Sequence, residues 1–238
     1  MTDSAAQEKA GVMLRDDYIV RLAAQFGRAL ARVLGLSRRK QYPAALAAIE
    51  EDLDQLLGLK LDATLKLSAG QLVAFLTLGG IEASWDKVAF LAALLREAGI
   101  IHAAEDRPAE SYECYRQALD LLLAVLLREE EVRLPEYAPS VEDITTGLAA
   151  YVLPAPTSLA LLRYYERAGA YGRAEDALFE ALEAEPGNAD AIEAGLAFYR
   201  RLRQQTDAAL VAGNLPRDEV KAGLAELRAY LRDRKEPD

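Results

Sequence analysis

Cysteine and histidine each occur once in this chain of 238 residues, as Cys114 and His102. A disulfide framework is therefore excluded, and so is almost any zinc site, because each needs several such side chains. Positive charge is also scarce. Lys and Arg number 28 against 38 Asp and Glu, a formal charge of -10 that repels polyanions at long range and argues against nucleic acid as a partner. Long apolar runs are missing as well. Runs such as Leu121 to Leu127 fall far below the ~20 residues of a spanning helix, and Met1 to Val12 lack the apolar core of a signal peptide. Neither Asn188 nor Asn214 lies in a glycosylation acceptor. No membrane contact and a cytoplasmic location are the resulting expectations. Nucleotide-binding glycine loops, the serine elbow and the H-E-x-x-H metal motif are all absent, and no segment alternates apolar with polar residues as strands do.

What the chain has in quantity is Ala and Leu, together roughly a third of it, and both favour helices. Apolar residues three or four apart mark a helix over Asp16 to Leu34 and a second over Tyr42 to Leu57, stopped by Gly58. Ser68-Ala69-Gly70-Gln71 reads as a capping box, with Leu67 and Leu72 as its hydrophobic staple. The short helix it opens should end at Gly79-Gly80, and Ser84 can cap a long helix reaching Ala104. Another helix starts near Pro108 and runs to the acidic Glu129-Glu130-Glu131. Four prolines then fall between Pro135 and Pro156, leaving room for one short helical piece, Val141 to Tyr151. Four more helical stretches follow: Thr157 to Ala168, Tyr171 to Ala184, Asn188 to Arg203 and Pro216 to Leu231. The expected organisation is a disordered leader (1–12), a helical subdomain (13–134), a proline-rich connection (135–156) and C-terminal hairpins (157–234).

Leu161, Leu162, Tyr165, Gly169, Tyr171, Ala174, Leu178, Ala181 and Pro186 together resemble one complete tetratricopeptide repeat, a 34-residue helix-turn-helix unit. Small residues at Ala174 and Ala181 allow close helix approach, Gly169 permits the turn, and Pro186 ends the second helix. Leu95, Gly99, Ser111, Tyr115 and Ala118 resemble a second unit, in which His102 stands at a position usually aromatic. A third, weaker unit covers Val33 to Leu53, with Asp52 where a small residue is usual. These units do not keep the 34-residue period. The fold implied is all-α: degenerate tetratricopeptide-like hairpins stacked as a short right-handed superhelix. Asp17-Tyr18-Ile19-Val20-Arg21, Gly27-Arg28-Ala29-Leu30-Ala31-Arg32 and Leu56-Leu57-Gly58-Leu59 also resemble an uncharacterised bacterial helical family, a likeness that carries no activity.

Function is expected to be non-enzymatic: a scaffold or adaptor gripping a peptide or partner protein on a concave helical surface, with no cofactor or metal. By analogy with such folds Arg96, Arg163, Tyr165 and Glu166 are the groove residues. The alternative is a small-molecule sensor or enzyme with a site between the two helical halves, recognisable by an apolar pocket with converging polar groups. His102 and Cys114, twelve apart, would make a nucleophile pair only if they met, and otherwise fill the core. The basic cluster Arg28, Arg32, Arg38, Arg39 and Lys40 either holds an anion or is a solvated face. Finally, Leu119 to Leu127 point in nearly every direction about their helix axis. Such a helix needs a second cover, from the segment after Pro135 or from a second subunit in a homodimer.

Overall fold

A computed structural model describes the backbone of residues 2–78, 84–128 and 132–233, and the side chains of 20–78, 85–128 and 132–231. The described residues form twelve α-helices and no strand, none of them long and apolar enough to cross a membrane. The chain divides into two compact units, Met1–Ala149 and Ala150–Asp238, so the division falls inside the proline-rich 135–156 stretch. The turn at Gly79-Gly80, the side chain of Ser84, the run Glu129-Glu130-Glu131 and the end of the tail lie outside the described residues.

The first unit contains α1 (Thr2–Arg38), α2 (Tyr42–Asp52), α3 (Leu61–Lys66), α4 (Ala69–Leu76), α5 (Ser84–Ala104), α6 (Pro108–Leu126) and α7 (Val141–Leu148). α1 begins well before the Asp16 start given by apolar spacing and runs through the expected disordered leader. Ala5, Ala6, Gln7, Glu8 and Lys9 are good helix formers that carry no apolar stripe. α2 passes into one π-helical turn, Leu53–Leu57, ended by Gly58 in the left-handed region at φ 68°. The capping box forms at Ser68: its hydroxyl accepts from the Gln71 amide, and the Gln71 side chain accepts from the Ser68 amide. A second box, Ser140 with Asp143, opens α7. The six-residue α3 is too short for periodicity to reveal.

α5 is the axis of this unit. Every residue from Val88 to Leu95 is buried, because α1, α2, α4, α6 and α7 all pack on it. Phe26 of α1 stacks on Phe90 of α5, ring centroids 4.2 Å apart. On α6, Leu119, Leu121, Leu122, Leu123 and Val125 are likewise buried, under α3, α4, α5 and α7. The second cover that α6 needs therefore comes from the same chain, from α7 among others, and its apolar circumference does not require a second subunit. The Tyr115 ring of α6 lies between Gly99 of α5 and Gly147 of α7, where an added Cβ would stand 2.8 Å and 2.5 Å from the ring. Polar groups close the rest. Ser111 Oγ donates to the Gly99 carbonyl (2.9 Å), Gln117 Nε2 to the Leu67 carbonyl (2.9 Å), and Arg32 reaches Glu51 and Asp52, both at 2.8 Å. That ion pair accounts for an acid at Asp52 where a repeat would have a small residue.

The second unit contains α8 (Ala155–Arg167), α9 (Tyr171–Ala184), α10 (Ala189–Leu202), α11 (Asp207–Ala212) and α12 (Arg217–Asp233). α8 starts two residues earlier than expected, since Pro154 caps it and Pro156 falls in its first turn, where no amide partner is needed. Gly169 at φ 75° makes the tight turn to α9, and Ala174 and Ala181 are fully buried at the helix contact. Gly195 of α10 fits between Leu178 and Leu227, within 2.9 Å of both for an added Cβ. Side-chain caps start the later helices: Asn188 Oδ1 accepts from the Ala191 amide and Thr206 Oγ1 from the Ala209 amide.

Candidate functional site

Of the four groove residues expected from the sequence, Arg96 belongs to the first unit and Arg163, Tyr165 and Glu166 to the second. In the second unit an open groove of about 610 Å³ runs between α8 and α10. Leu159, Leu162, Ala194 and Ala197 give it an apolar floor, with Arg163 on one wall and Asp190 and Glu193 on the other. Arg163 is exposed and makes no ion pair or hydrogen bond among the described residues, so its charge faces solvent. Arg201 also lines the groove, held in a two-bond fork by Glu166 at 2.6 and 2.7 Å. Glu166 thus positions a wall residue and forms no wall itself.

Tyr165 does not share the groove. It is 5% exposed, its hydroxyl accepts from Arg173 of α9 at 2.6 Å, and the Arg173 guanidinium lies 4.0 Å from its ring centroid. Repeat register places Tyr165 beside Arg163 along the sequence, but α9 folds back over the ring. Asn188, Asp190, Glu193 and Arg201 escaped the sequence reading. The signal available was the string of polar residues on α10 opposite its buried Ala191, Gly195 and Phe198.

Arg96 lines a separate cavity of about 360 Å³, wholly within the first unit. α1 contributes Leu30, Ala31 and Leu34, α5 contributes Ala93, Arg96 and Glu97, and the 137–143 segment supplies Tyr137, Pro139 and Asp143. The Tyr137 hydroxyl donates to the Asp86 carbonyl at 3.2 Å. Hydrogen bonding to Ser140 holds the Asp143 carboxyl below its usual range, and the Arg96 charge adds to this. Glu97 also escaped the sequence reading, although a lone acid in an otherwise apolar helix segment is a legible signal.

Two other sequence candidates, His102 and Cys114, are buried in the core. Burial pushes the Cys114 thiol up to about 12 and lowers His102, with Arg107 lowering it further. No hydrogen bond joins the two, and a thiol held protonated is the opposite of an activated nucleophile. Within the basic cluster Arg32 is spent on Glu51 and Asp52, whereas Arg28, Arg38, Arg39 and Lys40 are exposed.

A family of unknown function (DUF6483) has a family model that matches residues 13–232. The chain belongs to that family. It matches no curated protein and no solved structure. Family membership thus agrees with the resemblance carried by the first helices and adds no chemistry to the groove or the cavity.

Proposed function

We propose that the chain is a non-enzymatic binding module of tetratricopeptide-like hairpins, whose second unit takes a peptide or a segment of a partner protein between α8 and α10. In that arrangement α8 and α10 are the first helices of successive hairpins, the helices that line the concave side of such stacks. The observation that carries the reading is the groove itself. An apolar floor excludes water, while unpaired Arg163 faces Asp190 and Glu193 across it. Opposed charges on two walls fix the direction of a bound segment, and the floor supplies most of the affinity. The open shape suits an extended or helical segment better than an enclosed small molecule. A location in the cytoplasm fits the same reading.

Affinity capture from the host cell, using the wild-type chain beside Arg163→Glu with Glu193→Arg, tests this. The expected result is a defined partner retained by the wild type and lost by the double variant at unchanged helix content and melting temperature. Equal capture by both chains would place binding elsewhere, and no specific capture by either would contradict the reading.

A further inference from the structure

We propose that the groove between α12 and the end of α10 docks a short acidic segment of a partner protein, one that carries an apolar residue among its carboxylates. The groove has about 560 Å³ and lies wholly within the second unit. Arg203, Arg217, Lys221 and Arg228 line it and no acid does, in a chain whose formal charge is -10. Val220, Leu224 and Ala225 make its apolar floor. Arg203, Lys221 and Arg228 are exposed and make no ion pair or hydrogen bond among the described residues. Arg217 is tied instead to Asp207 and to the Arg203 and Gln205 carbonyls, which fixes the chain between α10 and α12 at one end of the groove.

The clustering follows from helix geometry. Arg217, Lys221, Leu224 and Arg228 recur four, three and four residues apart and so share one face of α12. Asp218, Glu219 and Glu226 fall on its other sides, so the helix sorts its charges by face. Three unpaired cations around one concave surface raise the local potential and attract carboxylates. The stripe from Arg217 to Arg228 is about 16 Å long, which matches roughly five residues of extended chain or three turns of helix. Nucleic acid fits worse, because no aromatic ring lines the groove for a base to stack on and the net charge repels a long polyanion. An anionic lipid surface fits worse as well, since Val220 is buried and Leu224 half-buried, leaving neither to insert. A peptide brings carboxylates to the cationic rim and an apolar side chain to the floor. The lining shares no residue with the α8–α10 groove, so failure here leaves that reading untouched.

Fluorescence anisotropy of the full chain with a labelled peptide, Asp-Glu-Glu-Leu-Asp-Glu-Leu-Glu, tests the proposal beside the same peptide with Asn and Gln in place of its acids. The expected result is saturable binding of the acidic peptide, at least tenfold tighter than the neutral one. Raising salt from about 50 to about 500 mM should weaken it at least tenfold. Lys221→Glu with Arg228→Glu should abolish binding at unchanged helix content and melting temperature, whereas Arg163→Glu in the α8–α10 groove should leave it unchanged. Should the charge reversal unfold the chain, Lys221→Gln with Arg228→Gln should still weaken binding at least tenfold. No saturable binding, equal binding of the neutral peptide, or binding that survives the paired variants would each overturn the proposal. Tighter binding of a single-stranded oligonucleotide or of phosphatidylserine vesicles would overturn it in favour of another partner class. Self-association at low salt that the charge reversal blocks would overturn it in favour of a second copy of the chain.

Discussion

The two units differ in how far a single helix is enclosed by others. In the second, small residues at helix contacts, a glycine turn and side-chain caps are set by near neighbours along the chain, as at Ala174, Ala181, Gly169 and Asn188. In the first, α5 is enclosed by five other helices, while polar ties far along the sequence occur in both units, as Gln117 to Leu67 in the first and Tyr230 to Leu182 in the second. Local rules suffice where two helices form a hairpin. A helix buried on all sides needs partners that local sequence does not name.

The largest test of this contrast is Phe90→Ala. It removes a fully buried ring stacked on Phe26 and should cost about 3–5 kcal/mol, read as lost amide protection in α5 and α6. In the second unit Ala174→Leu overfills the α8–α9 contact and should cost about 1–3 kcal/mol by denaturant titration, an unchanged midpoint meaning that the small-residue contact is not what holds the hairpin. Capping is worth less. Ser68→Ala should lose ~1 kcal/mol, and a neutral result would show that α4 is held by its packing on α5 and α6 alone.

Acidification should act with opposite sign at two groups shifted by burial, one in each unit. Burial lowers His102 in the first unit, so its stabilising contribution is full above about 6.5, the ordinary value, and is lost as pH falls through the folded value. Burial raises Glu175 in the second, where Tyr199 donates to it at 2.6 Å. That contribution is full below the ordinary carboxylate value and is lost as pH rises through the folded one. From pH 7 to 5, His102→Phe should flatten the loss of stability and Glu175→Gln should flatten the gain. Identical pH slopes in wild type and both variants would contradict this account.

Much of the fold was legible because helices announce themselves by spacing and caps. The Ser68 box, the Gly58 stop and the Gly169 turn are local features, and each is present. The six-residue α3 and α11 span too few turns to show a period, and the extension of α1 back to Thr2 rests on propensity without an apolar stripe. The Ser140 box passed unnoticed because Asp143 stands where Glu or Gln is usual. Arg163 lines the groove and Tyr165 does not, since the burial of Tyr165 depends on Arg173 arriving across a turn. Arg96 Nε is buried without an acceptor, which only three-dimensional packing shows.

The central claim is that the groove between α8 and α10 is where a partner lies. Photocrosslinking in the host cell from a benzoyl-phenylalanine placed at Ala197, on the groove floor, tests it against the same group at exposed Glu183 of α9. A discrete adduct from position 197, absent from position 183 and lost with Arg163→Glu, is the predicted result. The same adducts from both positions, or none from 197, would contradict it.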